Sequence, residues 1–317
     1  MSKIRYIGLV LLVALGSYYF YHKSNELKQL MDLTLAQIGT ASVFIMLSFL
    51  IIGKKYKSIL SAFQVNLSAK EWLGLPQVIM LFNLILFKSG TIANAYYLKK
   101  HHRLSYSRFI VGMSSQKLLE FFAVSFVGFI FSLSLFIFLQ INFYVVLIFC
   151  VLLLALLFLF LIPFVNNKKY DSRIIKKIIE VVELWNEFKQ NKTIIIEVIA
   201  LEIIAIFILG MRYYVAFNIL NNPVGIIDCV IISIFVSITG YVSILPGNIG
   251  IREIVVGLSA YSLDYSFDYG VIATTLDRII ATIWFGIFGF IFFHSLHMKG
   301  YSKQSEIISD NLQMTKS

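Results

Sequence analysis

Six stretches of this chain are apolar over about twenty residues each, the length that an α-helix needs to cross the hydrocarbon core of a bilayer. They occupy residues 4–21, 33–52, 109–131, 143–164, 193–217 and 269–293. Of the 317 residues, 59% are hydrophobic and 14% are charged, whereas soluble domains average roughly 45–50% and about 25%. The sequence therefore predicts an all-α polytopic membrane protein with one transmembrane domain, residues 1–293, and a short cytoplasmic tail, residues 294–317.

Basic residues in short loops carry most of the net charge of +10. In that position they orient a membrane protein, so the charge does not indicate nucleic-acid binding. Loops at 54–57, 99–103 and 166–177, together with the N-terminal Lys3 and Arg5, are rich in Lys and Arg. We expect all of them on the cytoplasmic side of the cell membrane, as well as the C-terminal tail. The stretch 4–21 is long for a signal peptide, and we interpret it as a retained helix, with a cleaved signal as the alternative.

Two further apolar regions are interrupted by glycine, at 88–90 (KSG) and at 246–250 (PGNIG). Because the loops on both sides of the first region are basic, an ordinary crossing would place one of them outside. A hairpin that enters and leaves on one side satisfies both. The sequence therefore predicts two oppositely inserted re-entrant helical hairpins, at about 58–98 and 226–263, which form an inverted repeat typical of transporters. Chance similarity between two glycine-containing kinks is the alternative.

The segment 166–192 has isoleucines on one side of a helix and charged residues on the other. This pattern predicts a cytoplasmic amphipathic helix that lies on the membrane surface, or else a solvated helical loop.

Ionisable side chains inside apolar stretches cost about 2.5–3.5 kcal/mol each, so each one needs a partner, water or a function. Arg252 and Glu253 follow Gly250 at the start of a short helix. A helix N-terminus and a guanidinium together suit a phosphate, whereas a structural salt bridge is the alternative. The predicted substrate-binding residues are Lys88, Ser89, Gly247, Gly250, Arg252, Glu253 and Arg278.

Other charged groups have simpler predictions. Lys117 and Glu120 have i,i+3 spacing and can pair on one helix face. Asp277 and Arg278 are adjacent and point in different directions, so each needs a partner on another helix. We take Lys117, Glu120 and Asp277 as supporting charges. Lys88 is either a second cationic group that faces the opposite leaflet or a side chain that snorkels to the interface. Glu197 and Glu202 suit a proton-coupled cycle, or Glu197 simply lies near the interface.

The motif LPGNIGIREIVVGL, residues 245–258, resembles the Pro-Gly-x-x-Gly-x-Arg-Glu signature of the lysylphosphatidylglycerol synthase transmembrane family, which includes the flippase domain of the multiple peptide resistance factor. Residues 274–291 are similar to the last span of that family, with Arg278 at its Arg position. Residues 88–120 look like the more variable first half-site. Two departures are Lys88-Ser89-Gly90, where members often have Arg and then Gly-Glu, and Gln116-Lys117, where they often have Glu-Arg. The resemblance implies a lipid-handling membrane module without the soluble synthase domain.

The sequence contains no HExxH, CxxC, Walker A, GxSxG or Asp-x-Asp motif, so we predict no catalytic residue, metal or cofactor. We expect a lipid flippase or scramblase that binds an anionic phospholipid or polyprenyl-phosphate head group in an intramembrane polar cavity. The alternatives are a non-catalytic partner of an envelope glycolipid or polysaccharide enzyme, and a membrane-embedded lipid-modifying transferase. The expected partners are a membrane lipid, an envelope-biosynthesis enzyme and a second copy of the chain.

Overall fold

The structure, a computed structural model, describes residues 33–86, 88–139, 143–161, 173–239 and 250–314. Within these ranges every regular element is an α-helix. In chain order the helices are α1 (Leu35–Ser61), α2 (Ala69–Ile85), α3 (Ser89–His102), α4 (Tyr106–Leu139), α5 (Phe143–Leu161), α6 (Arg173–Gln190), α7 (Lys192–Ile219), α8 (Ile226–Thr239), α9 (Ile251–Ser262) and α10 (Phe267–Met314).

Four helices are long and apolar enough to cross a bilayer. They are α1, α4 over Tyr106–Ile137, α7, and α10 over Phe267–Leu296. These helices confirm four of the six predicted spans and make the chain a multi-pass membrane protein. The fourth predicted span, 143–164, coincides with α5, whose described side chains give a shorter apolar helix, Val146–Leu157. The first, 4–21, lies outside the described residues.

Helices α1 and α7 pack against each other in opposite directions. Arg212 Nη1 donates to Ser48 Oγ at 3.4 Å, and Lys55 Nζ donates to Glu202 Oε2 at 2.7 Å. Residue numbers therefore increase along α1 in the direction in which they decrease along α7, so the two helices are antiparallel. Ile45 on α1 and Tyr213 on α7 are fully buried in the same apolar cluster.

The main contacts between helices repeat in the two halves of the chain. α2 packs on α1 and α3 as α8 packs on α7 and α9. α2 also packs on α10 of the other half, and α8 packs on α4 in the same way. The contacts of α5 and α6 with α4 stand outside this pattern, and so does the extensive packing of α9 on α10, since α3 touches α4 only slightly. Because α1 and α7 are antiparallel, the two halves of the bundle run in opposite directions.

The first interrupted region forms a pair of short helices, α2 and α3. Lys88 separates them in a left-handed backbone conformation, with φ of 60°. A Cβ atom at Gly90 would lie 2.7 Å from Ile79 Cα, so the start of α3 approaches the backbone of α2 as closely as only glycine permits. The predicted break at 88–90 is therefore the place where the two helices fold against each other.

Each helix pair returns the chain to the place where it began. Glu71 in the first turn of α2 accepts a hydrogen bond from Tyr97 Oη at 3.0 Å, and it contacts His102 Nε2 at 2.9 Å, at the end of α3. In the second half, Tyr265 follows α9 and donates to Asp228 Oδ2 at 2.7 Å, at the start of α8. Since α2 follows the end of α1 and α8 follows the end of the antiparallel α7, the two openings lie at opposite ends of the bundle.

The second interruption is described only at its end. Gly247 lies outside the described residues, and Gly250 precedes α9 with φ of 89°, a conformation that favours glycine. The Gly250 N–H donates to Glu253 Oε2 at 2.7 Å, which satisfies one donor at the helix start.

The predicted amphipathic segment contains a helix, α6, from Arg173 to Gln190. Its apolar residues Leu184 and Phe188 are buried, and the Phe188 ring stacks on Phe63 with 6.1 Å between ring centroids. This part of α6 therefore packs on the helical bundle.

Candidate functional site: an ion cluster between α7, α9 and α10

Arg212 of α7 and Asp277 of α10 form a bidentate pair within two of the apolar spans. Arg212 Nε and Nη2 donate to the two carboxylate oxygens of Asp277, each at 2.8 Å. Asp277 is only 4% exposed. A charge-assisted pair of this geometry is among the stronger polar contacts in proteins, so it connects α7 firmly to α10.

Arg252 joins the same carboxylate from α9. Its Nη2 donates to Asp277 Oδ2 at 3.1 Å, and its Nε donates to Tyr213 Oη at 2.9 Å. The guanidinium also lies 5.6 Å from the centre of the Tyr213 ring, which gives a cation–π contact. Arg252 makes one bond to Asp277 where Arg212 makes two, so Arg252 is held less firmly by the carboxylate.

Arg278 forms a second ion pair beside the first. Its Nη1 lies 2.6 Å from Glu253 Oε1, while the other oxygen of Glu253 accepts from the Gly250 N–H. Asp277 and Arg278 thus find partners on other helices, which confirms the prediction made from their adjacency. Arg252 and Glu253, also adjacent, bind Asp277 and Arg278 across the α9–α10 interface.

The cluster, as the structure describes it, contains three guanidinium groups and two carboxylates. It therefore carries one positive charge in excess, beside a small cavity lined by Ala41, Ala216, Ile219, Leu276 and Ile280 in addition to Arg212 and Asp277. An unbalanced cation among apolar spans favours the approach of an anion. The arrangement can accept a phosphate group if the phosphate replaces one of the carboxylate contacts.

The other predicted site residues lie in the first half of the bundle. Lys88 is exposed and precedes α3. Ser89 Oγ donates to the carbonyls of Phe82 and Leu86, at 2.7 Å and 2.9 Å, so it closes the turn between α2 and α3. These two residues sit on the first helix pair, whereas the arginine cluster joins α7, α9 and α10.

Lys117 and Glu120 pair on α4 at 2.7 Å, which confirms the i,i+3 prediction. The structure also shows a buried pair that the sequence did not predict. Lys55 Nζ lies 2.7 Å from Glu202 Oε2, and both side chains are less than a tenth exposed. Lys55 belongs to the basic segment 54–57, which is typical of a solvated loop, but α1 continues through it to Ser61 and carries Lys55 into the bundle.

The two polar clusters occupy matching places in the two halves. Counted from the first residues of their helices, Lys55-Tyr56 in α1 and Arg212-Tyr213 in α7 hold the same two positions. Gln116-Lys117 in α4 and Asp277-Arg278 in α10 match in the same way.

The tyrosines of these two dipeptides also have matching partners. Tyr213 accepts from Arg252 of α9, and Tyr56 accepts from Asn94 of α3. Because Gln116 stands where Asp277 stands in the second half, Lys55 finds its carboxylate on α7 instead. An alignment of the two halves of the sequence on the dipeptides Lys55-Tyr56 and Arg212-Tyr213 would have indicated these residues.

A further polar contact closes the first helix pair, outside the four apolar spans. Burial raises the pKa of Glu71, but hydrogen bonds from His102 and Ser68 outweigh burial and lower it to about 2. The carboxylate therefore stays charged and ties the start of α2 to the end of α3. Among the described residues, no group of three His, Cys, Asp or Glu side chains could hold a metal ion.

Comparison with protein families gives a match over most of the chain. The family described as the lysylphosphatidylglycerol synthase TM region matches residues 5–289. Searches of curated proteins and of solved structures found no match. The matched range contains all residues of the ion cluster and both helix pairs, and it indicates a lipid-related function in a membrane. The chain belongs to the lysylphosphatidylglycerol synthase transmembrane-region family.

Proposed function

We propose that the protein moves lipids between the leaflets of the cell membrane, as a flippase or scramblase, and binds an anionic head group at the Arg212–Arg252–Asp277 cluster. The head group is that of a phospholipid or a polyprenyl phosphate, and its acyl or prenyl chains remain in the bilayer. The observation that carries the proposal is the excess positive charge of the cluster within apolar helices.

Arg252 is the group that exchanges its carboxylate for a phosphate. Asp277 binds Arg212 through two hydrogen bonds of 2.8 Å and Arg252 through one of 3.1 Å. A phosphate that takes over the Arg252 contact leaves the bidentate Arg212–Asp277 pair intact. The planar guanidinium of Arg252 can then bind two phosphate oxygens at once.

The two helix pairs suit re-entrant hairpins. α2 and α3 have 17 and 14 residues, and α8 and α9 have 14 and 12. At about 1.5 Å per residue, each is shorter than the roughly 30 Å hydrocarbon core. The contacts Glu71–His102 and Asp228–Tyr265 join the two ends of each pair. The hairpins would then enter from opposite leaflets and bring polar groups to mid-membrane depth, as broken helices in transporters do.

The proposal also covers the topology of the chain, its chemistry and its partners. Six full spans, with both termini in the cytoplasm, place the basic loops on the inner side of the membrane. The protein acts by binding and moving lipid, without catalytic chemistry, metal or cofactor. Association with a second copy or with an envelope-biosynthesis enzyme would be measured on the purified protein by mass and by co-purification.

Reconstitution into liposomes tests the function directly. Vesicles of phosphatidylcholine and phosphatidylglycerol carry a fluorescent analogue of either lipid, and dithionite then bleaches the analogue in the outer leaflet. The protein should raise the bleached fraction above the half that protein-free vesicles show. If no tested lipid class moves faster than in protein-free vesicles, lipid transport is excluded for those lipids.

Arg252 variants test the site. Arg252→Ala removes the guanidinium that binds the phosphate. It should lower transport about tenfold or more, which corresponds to the loss of about 1.4 kcal/mol of binding free energy. Arg252→Lys keeps the positive charge but not the planar guanidinium that can bind two oxygens at once. Its transport rate should lie between those of Arg252→Ala and the native protein. Arg108→Ala, at an exposed position near the start of α4, removes the same charge elsewhere and should transport normally. Undiminished transport by Arg252→Ala would overturn the assignment.

A further inference from the structure

The Lys55–Glu202 pair joins the two equivalent helices α1 and α7 inside the bundle. Lys55 is 6% exposed and Glu202 is 3% exposed. A carboxylate and an ammonium are costly to bury, and their attraction compensates only if the remaining lone pairs and protons are also satisfied. The contacts of Glu202 therefore decide how well its charge is stabilised.

Only one oxygen of Glu202 is satisfied within the described part of the protein. Oε2 accepts from Lys55 at 2.7 Å, whereas Oε1 is buried without a hydrogen-bond partner. In the matching cluster, both oxygens of Asp277 accept from guanidinium groups. Guanidinium stays protonated in proteins, so the charge of Asp277 is held by two permanent cations. Glu202 has one lysine and one unpaired oxygen.

Charged groups near Glu202 come from α1 and α4. Lys55 is its direct partner on α1, and Lys117 and Glu120 of α4 act on it electrostatically. Of the other charged groups whose side chains are described on the helices packed against α7, Lys57 and Asp268 are partly buried, Arg108 is exposed, and the rest have the contacts or exposure that follow. Asp228 binds Tyr265, Asp277 binds Arg212, Arg278 binds Glu253, Lys54 pairs with Glu197, and His294 is exposed.

We propose that Glu202 binds and releases a proton in each transport cycle, with Lys55 as its counter-ion, so that lipid movement is coupled to the proton gradient. The coupling rests on the proposed function, whereas proton binding does not. A proton from the aqueous phase adds to the Glu202 carboxylate and gives a neutral carboxyl. The Lys55 ammonium then loses its charged partner, and the contact between α1 and α7 weakens. Release of the proton restores the ion pair.

The location of Glu202 suits such coupling. On the same helix, Glu197 pairs with Lys54 at 3.1 Å, and these side chains are 37% and 48% exposed. Glu202 lies one to two turns further into the membrane, and Arg212 lies about 15 Å beyond Glu202 at 1.5 Å per residue. A proton that enters near Glu197 therefore reaches Glu202 before the lipid site. Breaking the α1–α7 contact there changes the packing of the helix that carries Arg212.

Infrared spectroscopy of the purified protein tests proton binding apart from transport. Difference spectra between about pH 8 and about pH 5 should contain the C=O band of a buried protonated carboxyl. The band should vanish in Glu202→Gln and remain in Glu197→Gln, which removes the same charge from an exposed pair on the same helix. A band that persists in Glu202→Gln, or is absent from the native protein, would overturn the proposal.

Liposomes with an imposed pH gradient test the coupling. Fluorescent phosphatidylglycerol is the probe. With the native protein or Glu197→Gln, the ratio of probe between the two leaflets should change by up to about tenfold per pH unit of gradient for each proton coupled to one lipid. Glu202→Gln should show no response to the gradient, and a native-like response would refute coupling. If the native protein moves no lipid, the proposed transport function is refuted, whereas the infrared spectra still show whether Glu202 binds a proton.

Glu202→Asp provides a second variant in case Glu202→Gln does not fold. It keeps a titratable carboxyl one methylene shorter, so the C=O band should shift in frequency. An unshifted band would assign the proton to another residue.

Discussion

Asp277 is the residue on which the candidate site is built. Its carboxylate accepts from Arg212 of α7 and Arg252 of α9, so a single side chain of α10 connects three helices. The adjacency of Asp277 and Arg278 predicted partners on other helices. It did not predict which ones, because those partners lie 65 and 25 residues away in sequence.

Asp277→Asn should destabilise the protein strongly. The amide keeps the size of the side chain and removes the negative charge, so two guanidiniums in an apolar region lose their counter-ion. Breaking a buried pair in this way costs about 3 kcal/mol or more. The thermal unfolding midpoint of the detergent-solubilised protein measures the effect.

Asp264→Asn is the matched control. Asp264 is exposed and has φ of 64°, a conformation that Asn adopts readily. We expect a change of at most about 0.5 kcal/mol. Equal unfolding midpoints for the two variants would show that Asp277 does not hold the cluster together.

At the scale of elements, glycine and close backbone packing define the first hairpin. The sequence located the break at 88–90, because a lysine, a serine and a glycine interrupt an apolar run. It did not show that the start of α3 contacts the backbone of α2 near Ile79. That contact depends on how the two helices fold against each other, and it leaves no periodic signal in the sequence.

Gly90→Ala should disrupt the hairpin. The added Cβ would lie 2.7 Å from Ile79 Cα, and a backbone atom cannot move aside as a flexible side chain can. We expect a loss of about 1–3 kcal/mol, typical of overpacking. A lower unfolding midpoint of the detergent-solubilised protein measures this loss.

The control for Gly90→Ala is Gly286→Ala. An added Cβ at Gly286 of α10 has no atom within 4 Å. Alanine favours helix over glycine by about 1 kcal/mol, so Gly286→Ala should be neutral or slightly stabilising. Equal stability of the two alanine variants would exclude the close approach of α3 to α2.

The two halves of the whole molecule share the contacts of α2 and α8 with their neighbouring helices, and the first helices of the two halves, α1 and α7, are antiparallel. A hydrophobic pattern finds α1, α4, α7 and α10 because each is apolar over a membrane-spanning length, which is a local property. The same pattern does not show that α2 packs on α10 of the second half, or that α8 packs on α4 of the first half, since those contacts join distant parts of the chain.

Cysteine accessibility tests the arrangement of the hairpins in the membrane. Asn66, Lys100 and Ser266 are exposed and lie at the openings of the two helix pairs. In a background with Cys150→Ser and Cys229→Ser, a membrane-impermeant maleimide added to intact cells should label Ser266→Cys. It should label Asn66→Cys and Lys100→Cys only after the cells are permeabilised, because the re-entrant first hairpin that we propose would open to the cytoplasm.

A single crossing of the membrane between Asn66 and Lys100 would place these two positions on opposite sides. One of these two cysteines would then react in intact cells while the other would not. That pattern would exclude a re-entrant first hairpin.

The sequence by itself determined that the chain is a helical membrane protein, where four of its spans lie, and which charged residues need partners. These features depend on apolar length and on the cost of an isolated charge, which neighbouring residues suffice to reveal. Only the tertiary structure decided which charges on different helices meet. Lys55, which the sequence places in a basic loop, is buried against Glu202, 147 residues away. The reason is physical: ion pairs between helices depend on how the helices pack, and packing brings together residues that the chain keeps far apart.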